Sequence, residues 1–146
     1  MINGSCLCGK IAFRVNGDIL AMTNCHCSQC RKITGAAFGT LAFCKKEDFE
    51  YTSGENHISS YRLLEQSARI FCNICGSPLP VEGHEAFGPM VGIPAGLLDD
   101  DPIVRPSKHI FVGSKAPWWE ITDTISQYEE WFSGFNPKKI ITNRCS

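Results

Sequence analysis

The chain predicts a mainly β fold built from short antiparallel strands with few short helices. Two observations carry this. Short apolar runs, several alternating with period two, recur along the sequence and are each ended by turn-forming residues. The only candidate for a longer helix, Ser126 to Phe132, is weak.

Taken in order, Gly4-Ser5-Cys6-Leu7-Cys8-Gly9 reads as a tight turn. It feeds a strand over Lys10 to Val15, in which Ile11, Phe13 and Val15 alternate with smaller or polar residues. Asn16-Gly17-Asp18 turns the chain, and a short apolar run delivers it to Cys25. Ser28 to Ile33 suits one or two helical turns, capped by Ser28 and closed by Gly35. Strands are expected over Phe38 to Cys44, Phe49 to Thr52 and Ile58 to Leu63, with Ser53-Gly54-Glu55-Asn56 as a turn. Ala68 to Phe71 runs into Cys72-Asn73-Ile74-Cys75-Gly76. Pro78 to Val81, Met90 to Ile93 and His109 to Val112 complete the strands. Leu97 to Pro106 is the most loop-like part, and its Asp99-Asp100-Asp101 run reads as a solvated turn.

At 146 residues the chain fits one domain over 1–146, large enough for a core of its own. A net charge of -1 without a polybasic tract gives no reason to expect nucleic acid or an anionic membrane as partner. The stretch Ala36 to Phe43 is too short to span a bilayer, and the first residues show no secretory pattern, so a cytoplasmic location is expected. Nine cysteines, an odd number, then point to metal binding or thiol chemistry rather than disulfides.

Those cysteines fall into two groups. Cys6 and Cys8 form a CxCG pair, and Cys72 and Cys75 a CxxCG pair. Each supplies half of a tetrahedral set, and together they make the four-sulfur set of a structural zinc that ties the first turn to the middle of the chain. Cys25, Cys27 and Cys30 pack three thiols into six residues. Spacing alone leaves two readings: a closed site completed by Cys44, His26, His57, His84, His109 or Cys145, or an open and reactive one. Arg31 and Lys32 favour the open reading, because cations beside thiolates lower their pKa and attract anionic substrates, although both also suit plain exposure to solvent. His26 sits inside the cluster, where it would touch substrate or orient a sulfur. Cys44 reads as a small core residue, Cys145 as exposed, His57 as surface, and Trp118 and Trp119 as packing residues.

Four motifs in this order, CxCG at Cys6, CHCSQCRKxxGA from Cys25 to Ala36, FCxxCGSPL from Phe71 to Leu79 and KHIFVGSKAPWWEITD from Lys108 to Asp123, closely resemble the glutathione-dependent formaldehyde-activating enzyme family, whose domain is shared with centromere protein V. The resemblance implies a β-tent-like zinc fold in which Cys6, Cys8, Cys72 and Cys75 hold a structural zinc. It implies a second, catalytic zinc on Cys25, Cys27 and Cys30, hence two zincs per chain, with glutathione as co-substrate. The implied reaction condenses formaldehyde with the glutathione thiol to S-hydroxymethylglutathione, formally a carbon-sulfur lyase in reverse, with His26, Arg31 and Lys32 as candidate substrate contacts. The alternatives are a zinc-stabilised binding module and a thiol/zinc redox sensor without catalysis.

Overall fold

The computed structural model describes residues 1–64, 67–82 and 88–132. The expected class holds: among these residues the fold is mainly β, with ten short strands and one α-helix. The strands are β1 (Ile2–Ser5), β2 (Ala12–Val15), β3 (Ala21–Cys25), β4 (Gly39–Lys45), β5 (Phe49–Ser53), β6 (Ile58–Leu64), β7 (Ser67–Cys72), β8 (Met90–Pro94), β9 (Lys108–Ile110) and β10 (Ser126–Gln127), and α1 spans Ser28–Thr34.

Three sheets result. A three-stranded antiparallel sheet has the order β1-β2-β5, a five-stranded sheet the order β10-β9-β3-β4-β8, and β6 and β7 form a hairpin. The main core joins the first two sheets: Phe13, Val15, Ile19, Met22, Ala42, Cys44, Val91, Ile93 and Leu97 pack as one cluster. Cys44 is fully buried there, and burial pushes its thiol up to about 11, so it behaves as the small apolar side chain expected.

Several expectations need correction. The strand β1 was not foreseen, because Ile2-Asn3-Gly4-Ser5 has no apolar alternation. It forms because Gly4 pairs with Phe13 and lies so close to that ring that any Cβ would run into it. The acidic run is exposed but also structural. Asp100 accepts the Asn3 N–H at 2.8 Å, Asp99 the Ser5 hydroxyl at 2.9 Å, and Asp101 the Ile103 N–H and Arg105 guanidinium, each at 2.7 Å.

The helix expected over Ser126 to Phe132 is absent. The backbone of that segment bonds to β9 and the residues after it instead: Tyr128 N–H donates to His109 O, while Tyr128 O and Glu130 O accept from Val112 and Phe111. Pro78 to Val81 contributes only isolated bridges, since Pro78 and Pro80 have no N–H for a ladder. The strand expected over His109 to Val112 ends at Ile110, where Phe111 takes a left-handed φ of 56°. Not every pairing is antiparallel: β9 runs parallel to β3 and to β10, in a register that sets His109 beside Asn24 and Ile110 beside Cys25. That register builds the site described next.

Candidate functional site

The sulfurs of Cys6, Cys8, Cys72 and Cys75 all lie within 4.8 Å of one another. Two loops create this cluster. In the β1–β2 turn, Cys6 N–H donates to Ile11 O at 3.0 Å, and the Ile11 N–H approaches the Cys6 sulfur at 3.4 Å. After β7, Gly76, at a left-handed φ of 77°, donates its N–H to Cys72 O. Ser77 locks the two loops together, its hydroxyl accepting the Leu7 N–H at 3.0 Å and lying 3.3 Å from the Cys75 sulfur.

The electrostatics of this cluster are uneven. Hydrogen bonds from the Ser77 hydroxyl and N–H pull Cys75 down to about 5. At Cys6 burial works upward but is outweighed by the Ile11 N–H and by Cys8 and Cys72, so the thiol is lowered. Cys8, despite the Lys10 N–H, is pushed to about 11 by desolvation and the three other sulfurs. A tetrahedral zinc with Zn–S bonds of about 2.3 Å needs its sulfurs about 3.8 Å apart. The sulfurs of Cys6 and Cys8 are 3.5 Å apart, and those of Cys8 and Cys72 are 3.8 Å apart. The donor set fits that ion.

The second cluster brings the Cys25, Cys27 and Cys30 sulfurs within the same 4.8 Å of one another. Cys25 ends β3, opposite Gly39 of β4 and Ile110 of β9. Cys27 is the N-cap of α1, and its sulfur accepts the Cys30 N–H at 3.4 Å. The cap is therefore a cysteine rather than the expected Ser28, and capping itself draws the Cys27 sulfur to the Cys30 backbone. Gly39 lies close against the helix, since a Cβ there would come 3.3 Å from Thr34 Cγ2 and 3.4 Å from Cys30 Cβ. Gly35 closes α1 at φ 63°, as expected.

Cys25 and Cys27 are buried, and Cys30 is partly exposed. Cys25 is raised well above the ordinary thiol range by Cys27, then Cys30, then burial. At Cys30 the bond with Cys25 works downward but is outweighed by Cys27 and burial, which hold it up to about 12. Three thiols that suppress one another's ionisation make a ligand set for a thiophilic cation. Among the described residues no fourth His, Cys, Asp or Glu joins the group; Cys44 is in the core and His26 faces His109. His84 and Cys145 lie outside the described residues.

His26 differs most from expectation. It is fully buried, with no surface to offer a ligand, and its Nε2 lies 2.7 Å from His109 Nδ1. His109 is also buried, and its Nε2 lies 3.0 Å from the half-exposed Asp123 carboxylate. A carboxylate only accepts, so with both rings neutral His109 donates from Nε2 and accepts at Nδ1, and His26 donates from Nε2. The His26 Nδ1 is then a bare acceptor, and it is buried without a partner among the described residues. Desolvation, then the charge effects of His109 and Lys115, lower His26 to about 4 and keep it neutral. The His109 bond likewise lowers Asp123.

The remaining candidates are scattered. Arg31 Nε donates to His26 O at 3.3 Å, within its own loop, and Lys32 is exposed on α1. His57 is half-buried in the turn before β6. Trp118 and Trp119 are 69% and 41% exposed, not packed as expected, although Trp119 stands 6.0 Å from Phe38, whose ring is 4.9 Å from that of His26. The cation that sequence reasoning missed is Arg69 of β7, whose Nη2 donates to Gln29 Oε1 at 3.0 Å between Cys27 and Cys30. Nothing in the local sequence marks it, since only folding brings β7 to α1.

Comparison with known proteins places these clusters in context. A family model described as glutathione-dependent formaldehyde-activating enzyme matches residues 1–114. A Halomonas elongata protein named for glutathione-dependent formaldehyde activation is 28% identical, over 96% of this chain and 92% of that one. The crystal structure of a Rhodobacter sphaeroides protein shares the fold with a TM-score of 0.55 at 19% identity, covering 68% of this chain and 89% of that chain.

Proposed function

Because the chain belongs to the glutathione-dependent formaldehyde-activating enzyme family, we propose that its triple-thiol site joins an aldehyde such as formaldehyde to the glutathione thiol, a carbon-sulfur lyase reaction run in the condensing direction. The observation that carries this reading is the convergence of Cys25, Cys27 and Cys30 without a fourth protein donor among the described residues. A four-thiol set is closed, whereas a three-thiol set leaves a position for an exogenous sulfur. Zinc suits both sets, giving two ions per chain, and at the second site it would keep an incoming thiol ionised at neutral pH.

The protein's own contribution is placement. Cys25 and Cys27 form the buried wall of the site, and the partly exposed Cys30 lies on its open side. The co-substrate thiol gives up its proton, its sulfur bonds to the aldehyde carbon, and the carbonyl electron pair moves to oxygen, which takes up a proton, so no net proton is lost. This addition is intrinsically easy, and what the site supplies is proximity of the two reactants. Arg31 and Lys32 remain the candidate contacts for the co-substrate on α1, whereas buried His26 acts through the loop it orients. The reading fits a single β-tent-like domain over 1–146 working in the cytoplasm, a glutathione-rich compartment. Among the described residues no helix is long and apolar enough to cross a membrane.

NMR exchange spectroscopy on mixtures of glutathione and formaldehyde tests the function directly. Catalytic amounts of the protein should accelerate exchange between free glutathione and its hydroxymethyl adduct, and Cys27→Ser should abolish the acceleration. A wild-type protein that leaves the exchange rate at its uncatalysed value would sink the reading and favour a binding or sensing role.

A further inference from the structure

Arg69 is a permanent cation with one side-chain hydrogen bond among the described residues. One Nη2 hydrogen bond goes to Gln29, a neutral amide, at 3.0 Å. Among the described residues its Nε is buried with no acceptor, and no carboxylate pairs with it. A guanidinium presents five donors in a planar fork matched to a carboxylate, so one left without an anion is costly unless a ligand supplies it. The location narrows the ligand. Gln29 lies in α1 between Cys27 and Cys30, and the positive field of Arg69 reaches the Cys30 thiol. Arg69 is itself only partly buried, and it belongs to the β6–β7 hairpin rather than to the thiol loop. A cation approaching the open side of the thiol cluster from a second element suits a ligand whose sulfur enters the cluster while a negative group lies some way along the same molecule.

We propose that Arg69, oriented by Gln29, receives a carboxylate of the thiol co-substrate and thereby selects anionic thiols at the triple-cysteine site. This rests on the glutathione reading given above. It adds to Arg31 and Lys32 on α1 an anion contact that only the tertiary structure places there.

The test is a binding titration of the metal-loaded protein, by calorimetry or NMR, with glutathione and with glutathione diethyl ester, which keeps the thiol but lacks both free carboxylates. Arg69→Gln should weaken glutathione binding about tenfold or more and leave the diester unaffected, with metal content unchanged. Arg69→Lys should recover part of the loss. Gln29→Ala, which keeps the cation but frees it, should show a smaller loss in the same direction and serves if Arg69→Gln folds poorly. Equal weakening for glutathione and diester, loss of metal in Arg69→Gln, or unchanged glutathione binding would each overturn the assignment. A wild-type protein that binds neither compound would instead remove the glutathione reading on which it rests.

Discussion

At the scale of single residues, His26 shows how burial and hydrogen bonding assign a role that spacing cannot. Its place between two cysteines suggests a ligand contact, yet it is turned into a chain running through His109 to Asp123. Nitrogen-15 NMR of the imidazoles should find His109 and His26 both protonated at Nε2. Asp123→Asn, whose amide both donates and accepts, should replace that pattern at His109 with mixed tautomers; an unchanged spectrum would refute the directional chain. The pH dependence follows from the same burial. His26 falls from an ordinary 6.5 to about 4, so between those values the unfolded chain takes up a proton that the folded chain refuses. The stability that His26 contributes is therefore intact above about pH 6.5 and is lost as the pH falls toward about 4, by roughly 3 kcal/mol in all. Denaturant unfolding of wild type and His26→Gln across this range should show the gap between them closing on acidification.

At the scale of elements, α1 and β1 are held by single positions. The seven-residue helix α1 buries none of its side chains fully, so its caps matter more than its packing. Gly35→Ala meets no neighbour within 4 Å but must adopt φ 63°, and a loss of about 1 kcal/mol in denaturant stability is expected. Gly4→Ala is different in kind, because the added methyl collides with the Phe13 ring and the Leu97 carbonyl rather than straining its own backbone. Calorimetry should show a loss of about 2 kcal/mol or more, with β1 displaced from β2. Both helix ends were marked in the sequence, Gly35 correctly and the N-terminus one residue late, because a cysteine sulfur is not a common cap. β1 was hidden for another reason: a strand held by one glycine under an aromatic ring carries no alternation.

At the scale of the whole molecule, folding and chemistry divide between the two thiol groups under the proposed function. Cys6 and Cys8 lie between β1 and β2, Cys72 and Cys75 at and beyond the end of β7, so a metal there would clamp distant segments around the satellite cluster of Ile11 and Leu79. Cys72→Ser should leave a protein that circular dichroism shows to be unfolded or greatly destabilised. Cys27→Ser should stay folded, since a serine hydroxyl caps α1 as well as the sulfur does, and should carry one zinc by elemental analysis where the wild type carries two. Two zincs retained in Cys27→Ser would show that Cys27 is not needed to hold the second ion and would sink its assignment as a ligand.

The sequence by itself determined the mainly β class, most strand positions and both sets of cysteines, because alternation, turn residues and ligand spacing are local properties of the chain. It did not determine which side chains meet at the triple-thiol loop. The parallel pairing of β9 with β3 sets His109 behind His26, the last described segment bonds to the residues around β9 instead of coiling into a helix, and the β6–β7 hairpin carries Arg69 to Gln29. These contacts join residues far apart in the chain, and their energy comes from ladder bonds and burial that exist only once the sheets have assembled. The grouping of the cysteines was therefore legible in the residues, while what surrounds them was decided by tertiary structure.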